Sequence, residues 1–317
     1  MTFFEAVIQG IIQGLTEFLP VSSSGHLLIS QHILGVQENN LFFDIMLHIG
    51  TLLAVLAVYY KTIWKLMLAF FEIVKMIFKK QFSFKKLNAD QKMVVSLIVG
   101  LLPLFLLFLP VPGSGTNVKG IAEQLAASKS VLLVGVALVA TAVMLRLGIK
   151  KQKSYKLSLV KKVDSEGPLQ RFDGKKQLSI ADAVYVGITQ FIAAIFPGIS
   201  RSGSTLSTGL LRSVNKQVAL DYSFILGIPA IVAAAVLELK DVLEAGFIAS
   251  VDFGPVLVGM VVSAVVGFLA IKLFKWLLKT DKMMVFVVYT FVFGSLCIII
   301  GIIEKFAGMN IFTGMAI

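Results

Sequence analysis

Two short polar runs interrupt an otherwise apolar chain, and they hold the side chains able to do chemistry. In the first, Gln13 and Glu17 stand four residues apart, on one face of a helix, and Ser22, Ser23, Ser24 and His26 follow. In the second, Ser200, Arg201, Ser202, Ser204 and Thr205 stand close together. A serine becomes a nucleophile only beside a base, and His26 or Glu17 is available for that role. The planar fork of an arginine grips phosphate oxygens in pairs. A carboxylate joined by phosphate oxygens also makes an environment for Mg²⁺ or Ca²⁺. If the two runs converge, these parts suit phosphoryl transfer, where catalysis is mostly positioning and charge stabilisation.

Each residue also has a structural reading. A serine in a membrane helix often bonds a backbone carbonyl or a neighbouring helix. Glu17 and Arg201 together would make a structural ion pair. Asp44 and Asp221 are read as structural, either as helix N-caps or as hairpin anchors. His32 is read as interfacial and idle. His48, one turn after Asp44, is placed to bond it, with a catalytic role the lesser reading. Tyr59, Tyr60 and Trp64, close to Lys61 and Lys65, look like an interfacial belt.

The elements that carry these residues follow from composition. Of 317 residues, 57% are hydrophobic and only 15% charged, with mean hydropathy +0.89. Soluble domains carry about 25% charged residues, so soluble and disordered readings are excluded. One cysteine, Cys297, rules out a disulfide framework and a cysteine-based metal cluster, and three histidines leave little for a zinc site. A span needs about 20 apolar residues. Six stretches qualify: Leu41 to Tyr60, Met93 to Val111, Ser130 to Leu145, Gln217 to Leu237, Gly254 to Ile271 and Met283 to Ile303. Two more, Phe3 to Leu34 and Ile180 to Leu211, are each split by a polar break after a proline, Pro20 or Pro197. Such breaks are tolerated at membrane depth only inside protein or beside a wet cavity, so both are read as re-entrant hairpins. The N-terminus lacks the features of a signal peptide.

The charges orient this arrangement. Of the 29 Lys and Arg, 24 fall in segments 61–92, 146–178, 212–216 and 272–282, which six spans and two non-crossing hairpins place on one side. The positive-inside rule makes that side cytoplasmic and puts both termini outside. The net charge of +11 is thus read as topology, not as nucleic-acid binding. An internal repeat supports the scheme. At an offset of 177, Glu5, Gly10, Gln13, Pro20, Asp44 and Gly50 match Asp182, Gly187, Gln190, Pro197, Asp221 and Gly227. Each half holds one hairpin and three spans, an odd number, so the halves are inverted. The expected fold is an all-α polytopic membrane protein with an inverted-topology repeat, six transmembrane helices and two re-entrant helical hairpins. Repeat 1 covers 1–147, a Lys-rich cytoplasmic linker 148–178, and repeat 2 179–317. In such folds the site lies where discontinuous helices meet, and half-helix ends there suit anions.

The run from Gln13 to His26, QGLTEFLPVSSSGH, resembles the signature of the undecaprenyl-diphosphate phosphatase (bacitracin-resistance protein) family, and the run from Pro197 to Thr205, PGISRSGST, is similar to its second signature. The resemblance covers most of the apolar chain. It implies an inner-membrane enzyme that removes the terminal phosphate of undecaprenyl diphosphate, recycles the lipid carrier for cell-wall synthesis and confers bacitracin resistance. It also implies a divalent-cation requirement and a site open to the outer face. Carried onto this chain, Glu17, Ser23, His26 and Arg201 are the expected catalytic residues, with Glu17 on the metal. Gln13, Ser22, Ser24, Ser200, Ser202 and Thr205 are expected to bind substrate. Relatives often carry Glu where this chain has Gln13, which shifts acid–base work to Glu17. Either Ser23 or His26 serves as nucleophile. The partners expected are a polyprenyl diphosphate and the bilayer, with a homodimer an admissible assembly. The rival reading is an inverted-repeat transporter or flippase of an anionic lipid or solute. Loops at 75–92 and 146–178 look long for the family.

Overall fold

The computed structural model describes residues 1–35, 41–163, 174–244 and 251–315. Eleven α-helices follow in order among these residues: α1 Phe3–Phe18, α2 Ser23–Leu34, α3 Leu41–Phe78, α4 Ala89–Leu101, α5 Val118–Ala127, α6 Val131–Val163, α7 Ile180–Ile195, α8 Arg201–Leu211, α9 Lys216–Glu244, α10 Phe253–Lys279 and α11 Met284–Ala307. Six of them are long and apolar enough to cross a bilayer: α3, α4 with its 3₁₀ extension to Phe108, α6, α9, α10 and α11. Each overlaps a span expected from composition. The chain is an all-α polytopic membrane protein.

The hairpins are built by local chemistry. Thr2 caps α1 and Ser179 caps α7; in each, the cap hydroxyl accepts the N–H of the third residue and that residue's carboxylate, Glu5 or Asp182, accepts the cap N–H. The positions correspond at the same offset of 177. After Pro20 and Pro197 the chain restarts as α2 and α8, capped by Ser22 and Ser200, whose hydroxyls accept the N–H of Gly25 and Gly203.

Corresponding helices choose corresponding partners. Helix α1 packs on α10 and α7 on α4, while α3 meets α9 and α6 meets α11. The first two contacts are backbone-close. A Cβ on Gly10 would lie 2.7 Å from the Gly259 carbonyl oxygen, and one on Gly187 would lie 2.5 Å from that of Gly100. Small residues let membrane helices approach where water provides no driving force.

Several expectations change in the structure. Asp221 lies in the second turn of α9 and Asp44 in the first turn of α3, so neither is a helix N-cap. Asp44 anchors the first hairpin, accepting from Gln31 of α2 at 3.3 Å, whereas Asp221 links two long helices, accepting from Tyr59 of α3 at 2.5 Å. Tyr59 is therefore buried, and only Tyr60 and Trp64 face outward as a belt would. His32 is not idle. Its Nε2 lies 2.7 Å from the buried Glu304 carboxylate, and its carbonyl accepts from Asn310, tying α2 to the end of α11. The Lys-rich linker begins as helix, because α6 continues to Val163. Its end docks through backbone bonds between Lys175 and both Ser213 and Asn215, and its middle, 164–173, lies outside the described residues. Helix α3 has 38 residues, about 57 Å at the helical rise, and the 75–92 segment continues it to Phe78, then turns through 79–88, with a 3₁₀ turn at Phe84–Lys86, into α4. Outside the spans, α5 is tied to α9 by Lys119, which bonds Glu123 and Asp241. The Glu123 hydrogen bond, more than any other contact, holds the Lys119 ammonium above its ordinary pKa.

Gly10→Val and Gly187→Val should each lower the thermal midpoint of the detergent-solubilised protein. The backbone carbonyls they strike cannot give way cheaply, and overpacking of this kind costs about 1–3 kcal/mol. Unchanged midpoints would show that these helix pairs are not close-packed.

Candidate active site

The two chain breaks meet. Ser202 Oγ of α8 donates to the Leu19 carbonyl at 3.1 Å, and the Gly198 N–H points to Ser24 Oγ at 3.4 Å. Between them Arg201 Nη2 lies 2.6 Å from Glu17 Oε1. Both charges sit deep in the protein, at 20% and 6% side-chain exposure. An acid in hydrocarbon is costly alone, and this pairing is what makes Glu17 tolerable there. The position 177 residues after Glu17, in the second hairpin, is Ala194, so the acid has no counterpart there.

Glu17 is the hub of the cluster. Its Oε2 accepts from Ser23 Oγ at 2.7 Å and from Gln13 Nε2 at 3.1 Å, and His48 Nε2 stands 3.8 Å away. Ser22, just before α2, holds φ at +73°. For a non-glycine residue this is a strained conformation costing about 1–3 kcal/mol, of the kind found at functional sites. The Ser22 carbonyl is held by His26 Nδ1 at 2.7 Å.

A cavity of about 250 Å³ opens over this cluster. The first hairpin contributes Glu17, Ser22, Ser23 and Ser24 to its wall, and the second contributes Ser200, Arg201 and Ser202. One flank is apolar, with Ala193, Ala194 and Ile199 facing Ala230, Ile231, Ala234 and Ala235 of α9. The cavity thus pairs a polar, charged floor with an aliphatic side.

Three expected site residues are not on the wall. Gln13 is fully buried behind Glu17. Thr205 donates to the Arg201 carbonyl at 2.8 Å and bonds Ser223, so it supports the start of α8. His26 turns away: its Nε2 lies 2.8 Å from Tyr289 Oη and its ring stacks on Phe293 at 4.5 Å. Three residues of the site escaped notice or were undervalued in the sequence. His48 lines the cavity, oriented by a bond from Nδ1 to the Asp44 carbonyl at 2.8 Å. Glu238 lines it from α9. Gly227 gives the Arg201 guanidinium room, since a Cβ there would collide with it. Gly227 had been visible only as the repeat partner of Gly50.

Among the described residues, no group of three His, Cys, Asp or Glu could hold a metal by itself. A hard cation bound through one carboxylate and completed by substrate phosphates needs no such group. Glu17, whose carboxylate faces the cavity, fits that mode.

Residues 6–296 match the family model of the bacitracin resistance protein BacA. Over 96% of its length the chain is also 34% identical to the full length of an undecaprenyl-diphosphatase from Carboxydothermus hydrogenoformans, and 36% identical to that of one from Alkaliphilus metalliredigens. The chain belongs to the BacA family. A third relative, undecaprenyl-diphosphatase 4 of Bacillus cereus, is 34% identical over 96% of this chain and all of its own. Membership in the BacA family agrees with the two polar signatures, and the structure places both at one cavity.

Gly227→Ala should push the guanidinium off Glu17 without adding or removing a charge. A displacement of about 1 Å in such a site costs on the order of 100-fold in rate. Activity should fall by that order while the protein stays folded, as judged by its gel-filtration profile. Full activity would mean that the close approach of Gly227 does not set the position of Arg201.

Proposed function

We propose that the cavity is where this chain hydrolyses undecaprenyl diphosphate to undecaprenyl phosphate and inorganic phosphate, recycling the lipid carrier. The observation that carries the reading is the Ser23–Glu17–Arg201 cluster at the meeting of the two breaks. The aliphatic flank takes the polyprenyl segment next to the diphosphate. Arg201 exchanges part of its pairing with Glu17 for the terminal phosphate, aided by the N-terminal ends of α2 and α8. Glu17, bonded to Ser23 Oγ, takes the serine proton as Oγ attacks phosphorus. The bond from phosphorus to the bridging oxygen breaks, and the lipid monophosphate leaves with its electron pair. Water then hydrolyses the phosphoserine. His26 clamps the Ser22 carbonyl and so shapes the turn that presents Ser23. Mg²⁺ or Ca²⁺, bound by Glu17 and substrate oxygens, would supply neutralisation of phosphate charge.

The proposal places the Lys-rich segments in the cytoplasm, both termini outside, and the two repeats in opposite orientations, with the cavity open to the outer face. A transporter or flippase would need the arginine but not a serine held on a carboxylate, so the cluster favours the enzyme.

Purified protein should release phosphate from undecaprenyl diphosphate in detergent, where no gradient exists. Chelation should abolish release, and added Mg²⁺ or Ca²⁺ should restore it. Arg201→Ala should lose on the order of 100–1000-fold, the usual cost of removing a charge-stabilising donor. Absence of release by folded wild type would favour transport instead. Rapid acid quench should trap phosphate on Ser23 as an acid-stable ester. An acid-labile phosphohistidine at His26 would overturn the assignment of the nucleophile.

A further inference from the structure

Behind the cavity wall runs a second polar feature. Gln9, Gln13 and Glu17 repeat at four-residue spacing along one face of α1. Gln9 Nε2 donates to Ser30 Oγ of α2 at 2.8 Å, and Gln13 Nε2 donates to Glu17. Both glutamines are almost wholly inaccessible, at 2% and 0% exposure. Each keeps its amide oxygen, Oε1, buried without a hydrogen-bond donor. An orphaned acceptor of this kind costs about 1–3 kcal/mol, and buried water is the usual remedy where several polar groups adjoin.

Further polar groups lie alongside, with gaps between them. Gln31, next to Ser30, donates to Asp44 Oδ1 at 3.3 Å; the Asp44 carbonyl holds His48 Nδ1 at 2.8 Å; and His48 Nε2 faces Glu17 at 3.8 Å. Ser30, Gln31 and Asp44 are partly exposed, whereas Gln9 and Gln13 are buried. The series thus leads from the accessible end of the first hairpin to the hub of the site. On the other side of α1, Gly10 and Gly14 press against the backbone of α10, leaving no such path.

We propose that this seam between α1, α2 and α3 binds ordered water and delivers it to the site behind Glu17, with Gln9 and Ser30 as positioning residues. The inference rests on the phosphatase reading. A lipid diphosphate seated in the cavity, with its chain along the aliphatic flank, closes the mouth to bulk water. The second step nevertheless consumes one water. Its oxygen forms the new bond to phosphorus, and the bond from phosphorus to Ser23 Oγ breaks. The electron pair stays on Oγ, which recovers a proton through Glu17 from the attacking water. A supply from the rear lets that step follow without the cavity first emptying.

Radiolytic hydroxyl labelling, which oxidises side chains beside bound water, tests the seam independently of activity. In wild type the buried stretch 6–17 should be labelled, and Gln9→Leu, similar in size but lacking the amide, should abolish that labelling. The same variant should lower kcat severalfold and KM with it, leaving kcat/KM unchanged, and raise the steady-state level of phosphoserine, because only the water-consuming step is slowed. A merely structural defect would lower both steps and leave no excess phosphoenzyme. Ser30→Ala, a smaller change, should act in the same direction and serves if Gln9→Leu does not fold. An unlabelled wild-type segment, or variants with normal kcat and no phosphoenzyme accumulation, would overturn the water path. Failure of wild type to release phosphate would overturn the phosphatase reading, with the labelling result still deciding whether the seam holds water.

Discussion

A buried carboxylate and a partly buried guanidinium, 2.6 Å apart, join two chain breaks through residues 184 apart in the sequence. Neither charge is tolerable alone at membrane depth, and neither break is tolerable unless protein or a wet cavity covers it. Glu17 and Arg201 address both constraints. Their pairing neutralises the acid, and the contacts around them, Ser202 to Leu19 and Gly198 to Ser24, cover broken backbone with broken backbone. The same arrangement leaves Ser23 on a carboxylate, beside a cation that a phosphate can approach. Under the proposed function, stability and chemistry draw on one cluster.

The surrounding helices hold the breaks at a common depth. Both hairpins start from the same kind of capping box, Thr2 with Glu5 and Ser179 with Asp182, and each packs its first helix through a glycine onto a long apolar helix, α1 on α10 and α7 on α4. Close backbone contact fixes the height of each break without side chains that could adjust. The chemistry is nonetheless asymmetric. One hairpin carries Glu17 and the serine run, and the other carries Arg201, with Ala194 where the acid would repeat.

Much of this was legible in the sequence because a bilayer imposes a length scale. Six apolar stretches of about 20 residues became six long helices, and polar runs after Pro20 and Pro197 became breaks. The matched acids and glycines pointed to corresponding elements, and the capping boxes and glycine contacts fall at matched positions. What could not be read was the direction each side chain takes. His26 sits among the serines in sequence yet turns to Tyr289, on a helix 263 residues away. His48 and Glu238 reach the cavity from spans whose rotation only packing decides. Tyr59 follows the pattern of an interfacial aromatic, but Asp221 of another helix draws it inward. His32 looked solitary because its partners, Glu304 and Asn310, lie at the far end of the chain.

The central claim is that Glu17 and Arg201 interact directly across the two breaks. A double-mutant cycle on unfolding of the solubilised protein, using Glu17→Gln, Arg201→Gln and the pair, tests it most directly. The structure predicts a coupling well above the noise of such cycles, on the order of 1–3 kcal/mol, with the double variant less destabilised than the sum of the singles. Additive effects, with no coupling beyond about 0.3–0.5 kcal/mol, would mean that the two breaks do not meet, and the account of the site would fail with them.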